Sequence, residues 1–322
     1  MQKLRCGVIG VGHLGQHHAR IYHELSQCEL VGVHDIDRAR MDEIAQTFET
    51  RTYDSPEELA NDVDAISLAV PTKFHYELGR LVLMHDCHTL IEKPITETVE
   101  QANELVEIAR QRHLVLYAGH TERFSPPLRS VRPWLSKPRY VEALRLAGFG
   151  SRGIDVSVIH DLMIHDIDLV LSIIDAPIAN VEAIGVPVFT SSVDIANARL
   201  TFADGSIACL TASRVSMERV RKLRFFQQDA YISIDFLNND AKIYRRKQSG
   251  GASPESVEML DLIDAVKPSV PSHEPLMLEI SDFVTSASGE KEPEVPGEAG
   301  LRALSVVTQI VDDIRRRLAG WS

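Results

Sequence analysis

The chain has little that would staple it, anchor it in a membrane or draw it to polyanions. Its four cysteines, Cys6, Cys28, Cys87 and Cys209, lie far apart with no C-x-x-C pair, which excludes a disulfide framework or a thiolate zinc site as an organising feature. No apolar run approaches the roughly 18 residues that a membrane helix needs, and the opening MQKLRCGVIG leads straight into a strand pattern. No membrane partner and a cytoplasmic location are therefore expected. Basic residues are outnumbered, 34 Lys and Arg against 46 Asp and Glu, and the formal net charge of −12 opposes general attraction to nucleic acid. The expected partner is a small molecule. Low-complexity tracts and internal repeats are also missing.

What is present suits a packed globular chain, with 44% hydrophobic and 25% charged residues. The 322 residues exceed the roughly 250 at which single cores stop growing, so two domains are expected. Up to about Gly119, short apolar runs alternate with helical segments, as in a parallel sheet covered by helices on both faces. Strands are expected at Arg5–Gly10, Glu29–His34, Ala65–Val70, Thr89–Ile91 and Leu114–Ala118. Ser55-Pro56-Glu57-Glu58 marks a helix start. The boundary is expected near Gly119 to Arg123, giving a dinucleotide-binding domain over residues 1–121. Residues 122–322 then form a substrate-binding, catalytic and oligomerisation domain. There an apolar helix is expected from Asp161 to Ile174, followed by antiparallel strands. Ala196, Ala198, Leu200 and Phe202 share one face of a hairpin that turns at Asp204-Gly205. Two helices, Pro275–Ala287 and Glu298–Leu318, close the chain.

The segment GVIGVGHLGQHHAR reads as strand, then Gly10-x-Gly12-x-x-Gly15, then helix. Gly10 permits the tight turn, Gly12 lets backbone approach a pyrophosphate, and Gly15 allows close helix packing, with His13 and Leu14 completing the loop. Free N–H groups and the dipole at the helix start favour phosphate. Asp35, about twenty residues on, would accept hydrogen bonds from a ribose 2′-OH and repel a 2′-phosphate, favouring NAD over NADP, although Arg38 could neutralise such a phosphate.

Further along stand Ala69-Val70-Pro71-Thr72 with His75, Glu92-Lys93-Pro94, Gly119-His120-Thr121-Glu122-Arg123-Phe124 and Asp161-Leu-Met-Ile-His165. With these the chain resembles the Gfo/Idh/MocA oxidoreductase family over nearly its whole length. The resemblance implies a doubly wound parallel Rossmann sheet followed by an α+β domain with a large, mostly antiparallel open sheet. It also implies a homodimer or homotetramer, a cis peptide before Pro94, and a loop of Val70, Pro71 and His75 near the nicotinamide. Chemistry supports the same set. Glu92-Lys93 follows a strand, so Lys93 projects from the carboxyl edge where ligands bind in open α/β sheets. Oxidising a secondary alcohol requires a proton acceptor and a cation for the developing alkoxide. His165 is expected to accept the proton and Lys93 to bind and polarise the hydroxyl. Asp161, four residues before His165, is expected to orient the sugar or that ring, although which of Lys93 and His165 takes the proton differs within the family. His120, Arg123 and Arg152 are expected to touch substrate. His160, Asp161, His165, Asp166 and Asp168 carry metal-ligand chemistry, but His160 and His165 lie about 140° apart on an α-helix, so no metal is expected.

Other stretches, GHTERFSPP and ASRVSMERVRKLRFFQQDAYISIDF among them, resemble the branch of the family that dehydrogenates UDP-N-acetylglucosamine at its 3-OH. A UDP-sugar would need a local cationic pocket, for which Arg145, Arg152, Arg214 and Arg219 are candidates. The alternatives are an inositol or free-sugar dehydrogenase of the same family and a non-catalytic dinucleotide-binding sensor.

Overall fold

The computed structural model describes residues 3–150, 156–247 and 262–319. They fall into two compact units, one drawn from residues 3–121 and 274–305 and one from residues 122–150, 156–247, 262–273 and 306–319.

In the first unit six strands, β1 (Leu4–Ile9), β2 (Cys28–His34), β3 (Arg51–Thr52), β4 (Ala65–Leu68), β5 (His88–Glu92) and β6 (Leu116–Gly119), form a parallel sheet in the order β3-β2-β1-β4-β5-β6. Strands β4 and β6 are buried throughout, as a sheet covered on both faces requires. The helices between them are α1 (Gly15–Glu24), α2 (Arg38–Thr47), α3 (Pro56–Asp62), α4 (His75–Met84) and α5 (Val99–Gln111). Their starts follow local chemistry. Ser55 accepts the Glu58 N–H and Pro56 opens α3, while Thr98 and Gln101 form a reciprocal cap on α5. The strand order reverses at β1 and β4, the place where such sheets bind ligands.

The division expected after residue 121 differs from the structure in one respect. Helix α8, Pro275–Ala287, packs on the first unit, and Glu274–Ser305 belongs to it. The Tyr117 hydroxyl donates to Asp282 Oδ2 at 3.0 Å, Tyr117 meets the Phe283 ring at 5.8 Å, and Thr121 donates to Glu279 Oε2 at 2.6 Å. An amphipathic helix goes where its apolar face is covered, which need not be beside its neighbours in sequence.

The second unit holds α6 (Pro126–Val131), β7 (Tyr140–Leu146), α7 (Ile164–Leu171), β8 (Ile178–Val186), β9 (Ile195–Phe202), β10 (Ile207–Ser213), β11 (Val220–Phe226), β12 (Ala230–Asp235), β13 (Asp240–Arg246) and β14 (Ile263–Val266). Its eight strands among the described residues run β14-β13-β12-β11-β7-β10-β9-β8, antiparallel except where β7 and β10 pair in parallel. Ala196, Ala198, Leu200 and Phe202 are all buried, and Gly205, at φ +80°, turns the β9–β10 hairpin. The last helix, α9 (Gly297–Leu318), begins in the first unit and ends in the second. The single α-helix expected from Asp161 to Ile174 is instead a π-turn over Ile159–Met163 followed by α7. Among the described residues no helix is long and apolar enough to cross a membrane.

Asp282 is buried and also receives the Glu294 N–H and Lys291, so removing its tyrosine donor leaves a charged acceptor short of a partner. Tyr117→Phe should lower unfolding free energy by about 1–3 kcal/mol. Urea denaturation measures this; a loss below about 0.3 kcal/mol would show that the bond does not hold α8 in place.

Candidate active site

Asp35, Gly10, Val70 and Lys93 each follow the carboxyl end of one of the adjacent strands β2, β1, β4 and β5, so topology sets them along one edge. The glycine loop fits a dinucleotide there. Gly10 has φ +84°, and a Cβ on it would lie 2.7 Å from Ala69 O. A Cβ on Gly15 would lie 1.7 Å from Gly10 O, so here the third glycine closes the turn on itself. Gly12 has nothing within 4 Å of where a Cβ would be, which leaves backbone open to a pyrophosphate, and His13 and Leu14 beside it are exposed. Asp35 accepts the Val11 N–H at 2.7 Å and the Asp37 N–H at 2.9 Å, which fixes the carboxylate; each of its oxygens has a further lone pair for a ribose hydroxyl. Arg38 is engaged by Asp42 at 3.2 Å and Asp54 at 2.5 Å, so its charge is already met by carboxylates.

The residues after β4 and β5 are tied together by His75. Expected near the cofactor, it is buried, with Nδ1 2.8 Å from Pro94 O and Nε2 2.8 Å from Val70 O. Burial pushes this imidazole below its usual range, against the two carbonyls, which favour a doubly protonated ring. Glu92 is also buried rather than turned outward. His18 on α1 donates to its Oε1 at 3.0 Å. Burial opposes the Glu92 charge, but His18 and then Lys93 hold its carboxyl below the usual range. The sequence reading missed His18; a polar side chain three residues past Gly15 on the core side of α1 was the available sign. The peptide between Lys93 and Pro94 is cis. Lys93 itself is half-buried, and His120, after β6, is buried.

In the second unit the π-turn carries Asp161 and leads into α7, which carries His165, both half-buried. The Ile164 N–H reaches back to Ile159 O, so more residues occupy each turn than in an α-helix and the 140° expected between His160 and His165 does not apply. His160 is instead bound locally, 2.8 Å from Ser157 Oγ. Among the described residues no three His, Cys, Asp or Glu side chains gather as metal ligands.

Beside His165 lies a buried charge cluster that sequence reading did not anticipate. Arg145 contacts Asp166 through Nε at 2.8 Å and Nη2 at 2.7 Å, and Glu122 through Nη1 at 3.0 Å and Nη2 at 2.6 Å. Arg221 reaches the same Glu122, whose Oε1 is 3.3 Å from His165 Nδ1. Two expectations are corrected here. Arg123, expected to touch substrate, points into its own unit and pairs with buried Asp168 at 2.7 and 2.5 Å. Arg145 and Arg214, two of the candidates for a diphosphate pocket, are instead paired with Glu122 and Asp166 and with Asp194, the last pair at 2.8 Å. A buried carboxylate draws the nearest guanidinium, because an unpaired charge there is too costly. Arg219 is exposed, and Arg152 lies outside the described residues.

A family model described as an oxidoreductase family with an NAD-binding Rossmann fold matches residues 4–120, and one for the Gfo/Idh/MocA C-terminal domain matches residues 136–233. The UDP-N-acetylglucosamine 3-dehydrogenase of Acidithiobacillus ferrooxidans is 40% identical over 312 residues, covering 96% of this chain and 97% of that protein. The structure of UDP-N-acetylglucosamine 3-dehydrogenase GnnA from the same organism superposes with a TM-score of 0.89 at 38% identity, covering 98% of each chain. The myo-inositol 2-dehydrogenase of Thermotoga maritima is 21% identical over an alignment of 328 positions, gaps included, that covers 94% of this chain and 93% of that protein.

Because a Cβ on Gly12 meets no protein atom, Gly12→Ala should fold with an unchanged Tm yet weaken NAD binding at least about tenfold, a loss of about 1.4 kcal/mol. Thermal melts and a fluorescence titration with NAD separate the two effects. Undiminished affinity would mean that the pyrophosphate does not run past this residue.

Proposed function

The chain belongs to the Gfo/Idh/MocA family of NAD-binding oxidoreductases, and we propose that it oxidises the 3-OH of a UDP-N-acetylhexosamine such as UDP-N-acetylglucosamine to the keto sugar. What carries the substrate class is the likeness, across almost the whole of both chains, to an enzyme named for that reaction. The Gly10–Gly15 loop and Asp35 would hold NAD, which would supply the hydride acceptor for the carbinol carbon. The residues must then handle the hydroxyl proton and the charge left on oxygen. In this reading Lys93 donates a hydrogen bond to that oxygen and stabilises developing alkoxide, His165 accepts the proton, and Asp161 orients the sugar or the ring. Val70, Pro71, His75 and Glu92 shape the edge that presents Lys93, and His120 supports the substrate side. The ribose diol falls to Asp35, and the carboxylates on Arg38 favour NAD over NADP. The enzyme would work in the cytoplasm as a homodimer or homotetramer. Its product is a ketone ready for amination, chemistry that cell-envelope sugars such as those of lipid A need.

One observation favours the second reading, an inositol or free-sugar dehydrogenase. With Arg123, Arg145 and Arg214 committed to carboxylates, they offer no cation to a diphosphate.

Incubation with NAD and UDP-N-acetylglucosamine should raise NADH absorbance and yield the 3-keto sugar, whereas myo-inositol should not; the reverse pattern would transfer the assignment to the second reading. Lys93→Met and His165→Ala should still bind NAD but turn over about 10²–10⁴-fold more slowly. Near-wild-type rates in either variant would remove that residue from the chemistry.

A further inference from the structure

We infer that Glu122 is a positioning residue for His165, holding the imidazole with its Nδ1 side toward the carboxylate so that Nε2 is the nitrogen that takes the substrate proton. This rests on the reading of His165 as the proton acceptor. Glu122 Oε1 lies 3.3 Å from His165 Nδ1, and both side chains are largely enclosed, 11% and 18% exposed. A carboxylate there favours a hydrogen on Nδ1, and a neutral ring with Nδ1–H keeps its lone pair on Nε2, on the far side of the imidazole. The carboxylate is itself held. Arg145 grips both of its oxygens, Arg221 reaches Oε1, and Arg145 is gripped in turn by Asp166, the residue next to His165 on α7. The contacts close a ring, His165 to Glu122 to Arg145 to Asp166 and back along one peptide bond. The two bidentate forks of Arg145 fix the Glu122 carboxylate against the imidazole, and its contact with Nδ1 leaves little room for the ring to be presented another way.

The charged groups of the cluster beside His165 are the carboxylates Glu122 and Asp166 and the guanidinium groups Arg145 and Arg221, to which Asp161, four residues earlier on the π-turn, adds a third carboxylate. Within this set Glu122 is the carboxylate in contact with the ring, so it stabilises the imidazolium formed when the proton arrives.

Two measurements on the full chain test this. In Glu122→Gln the acid limb of kcat/KM should move to lower pH by about one unit, because the imidazolium loses its counter-ion, and kcat should fall more than tenfold with NAD affinity unchanged. In the wild-type protein, ¹⁵N NMR of His165, assigned with His165→Ala, should show the Nδ1–H tautomer above its titration; this needs no variant at Glu122 to fold. An Nε2–H tautomer, or a pH limb that stays in place while His165→Ala is inactive, would overturn the role of Glu122 alone. Full turnover in His165→Ala would overturn the reading beneath it as well.

Discussion

An ionised carboxylate persists inside a protein only when cations or N–H groups surround it, and in the second unit that requirement decides where the arginines go. Glu122 and Asp166 share Arg145, Asp168 takes Arg123, and Asp194 takes Arg214. Asp194 shows how far such pairing reaches. Burial works against its charge, yet the N–H groups of Thr190 and Phe189, the Thr190 hydroxyl and Arg214 hold its carboxyl well below the usual range. Apolar replacements for such pairs are often as stable, whereas removing one partner costs about 3–5 kcal/mol. The geometry imposed on α7 is therefore the more telling consequence, since Asp166 and Asp168 on the buried side anchor the helix that carries His165.

The first unit organises its edge by another means. Its loops are pinned by backbone groups and by glycine conformations more than by ion pairs. Asp35 receives the Val11 N–H, and Gly10 adopts a positive φ against Ala69. His75 spans the carbonyls that follow β4 and β5, and the buried charge of Glu92 is met by His18 from α1. Free N–H groups at the start of α1 can then face the phosphates of a dinucleotide. The acidic overall balance of the chain does not oppose this, because the attraction is local.

Signals that act over a few residues are legible in the amino-acid sequence alone. The three glycines with their flanking strand and helix, the serine and proline that open α3, the alternation of Ala196, Ala198, Leu200 and Phe202 and the Asp204-Gly205 turn all appear where their chemistry put them. Lys93 could be set at a strand end for the same reason. The π-turn that leads to His165 was not legible in this way, because it differs from an α-turn by one inserted residue and carries no periodicity of its own.

By itself, then, the amino-acid order determined the alternating architecture of the first unit, the dinucleotide loop, the acidic residue that suits NAD and the family's marker residues. Tertiary structure alone decided that α8 joins the first unit, that His18 meets Glu92 across 74 residues, that Arg123 meets Asp168 across 45, and that Arg145 meets Glu122 across 23. The physical reason is range. Turn chemistry and apolar periodicity are set by neighbours along the chain, whereas a buried charge chooses its partner from whatever packing brings within about 3 Å.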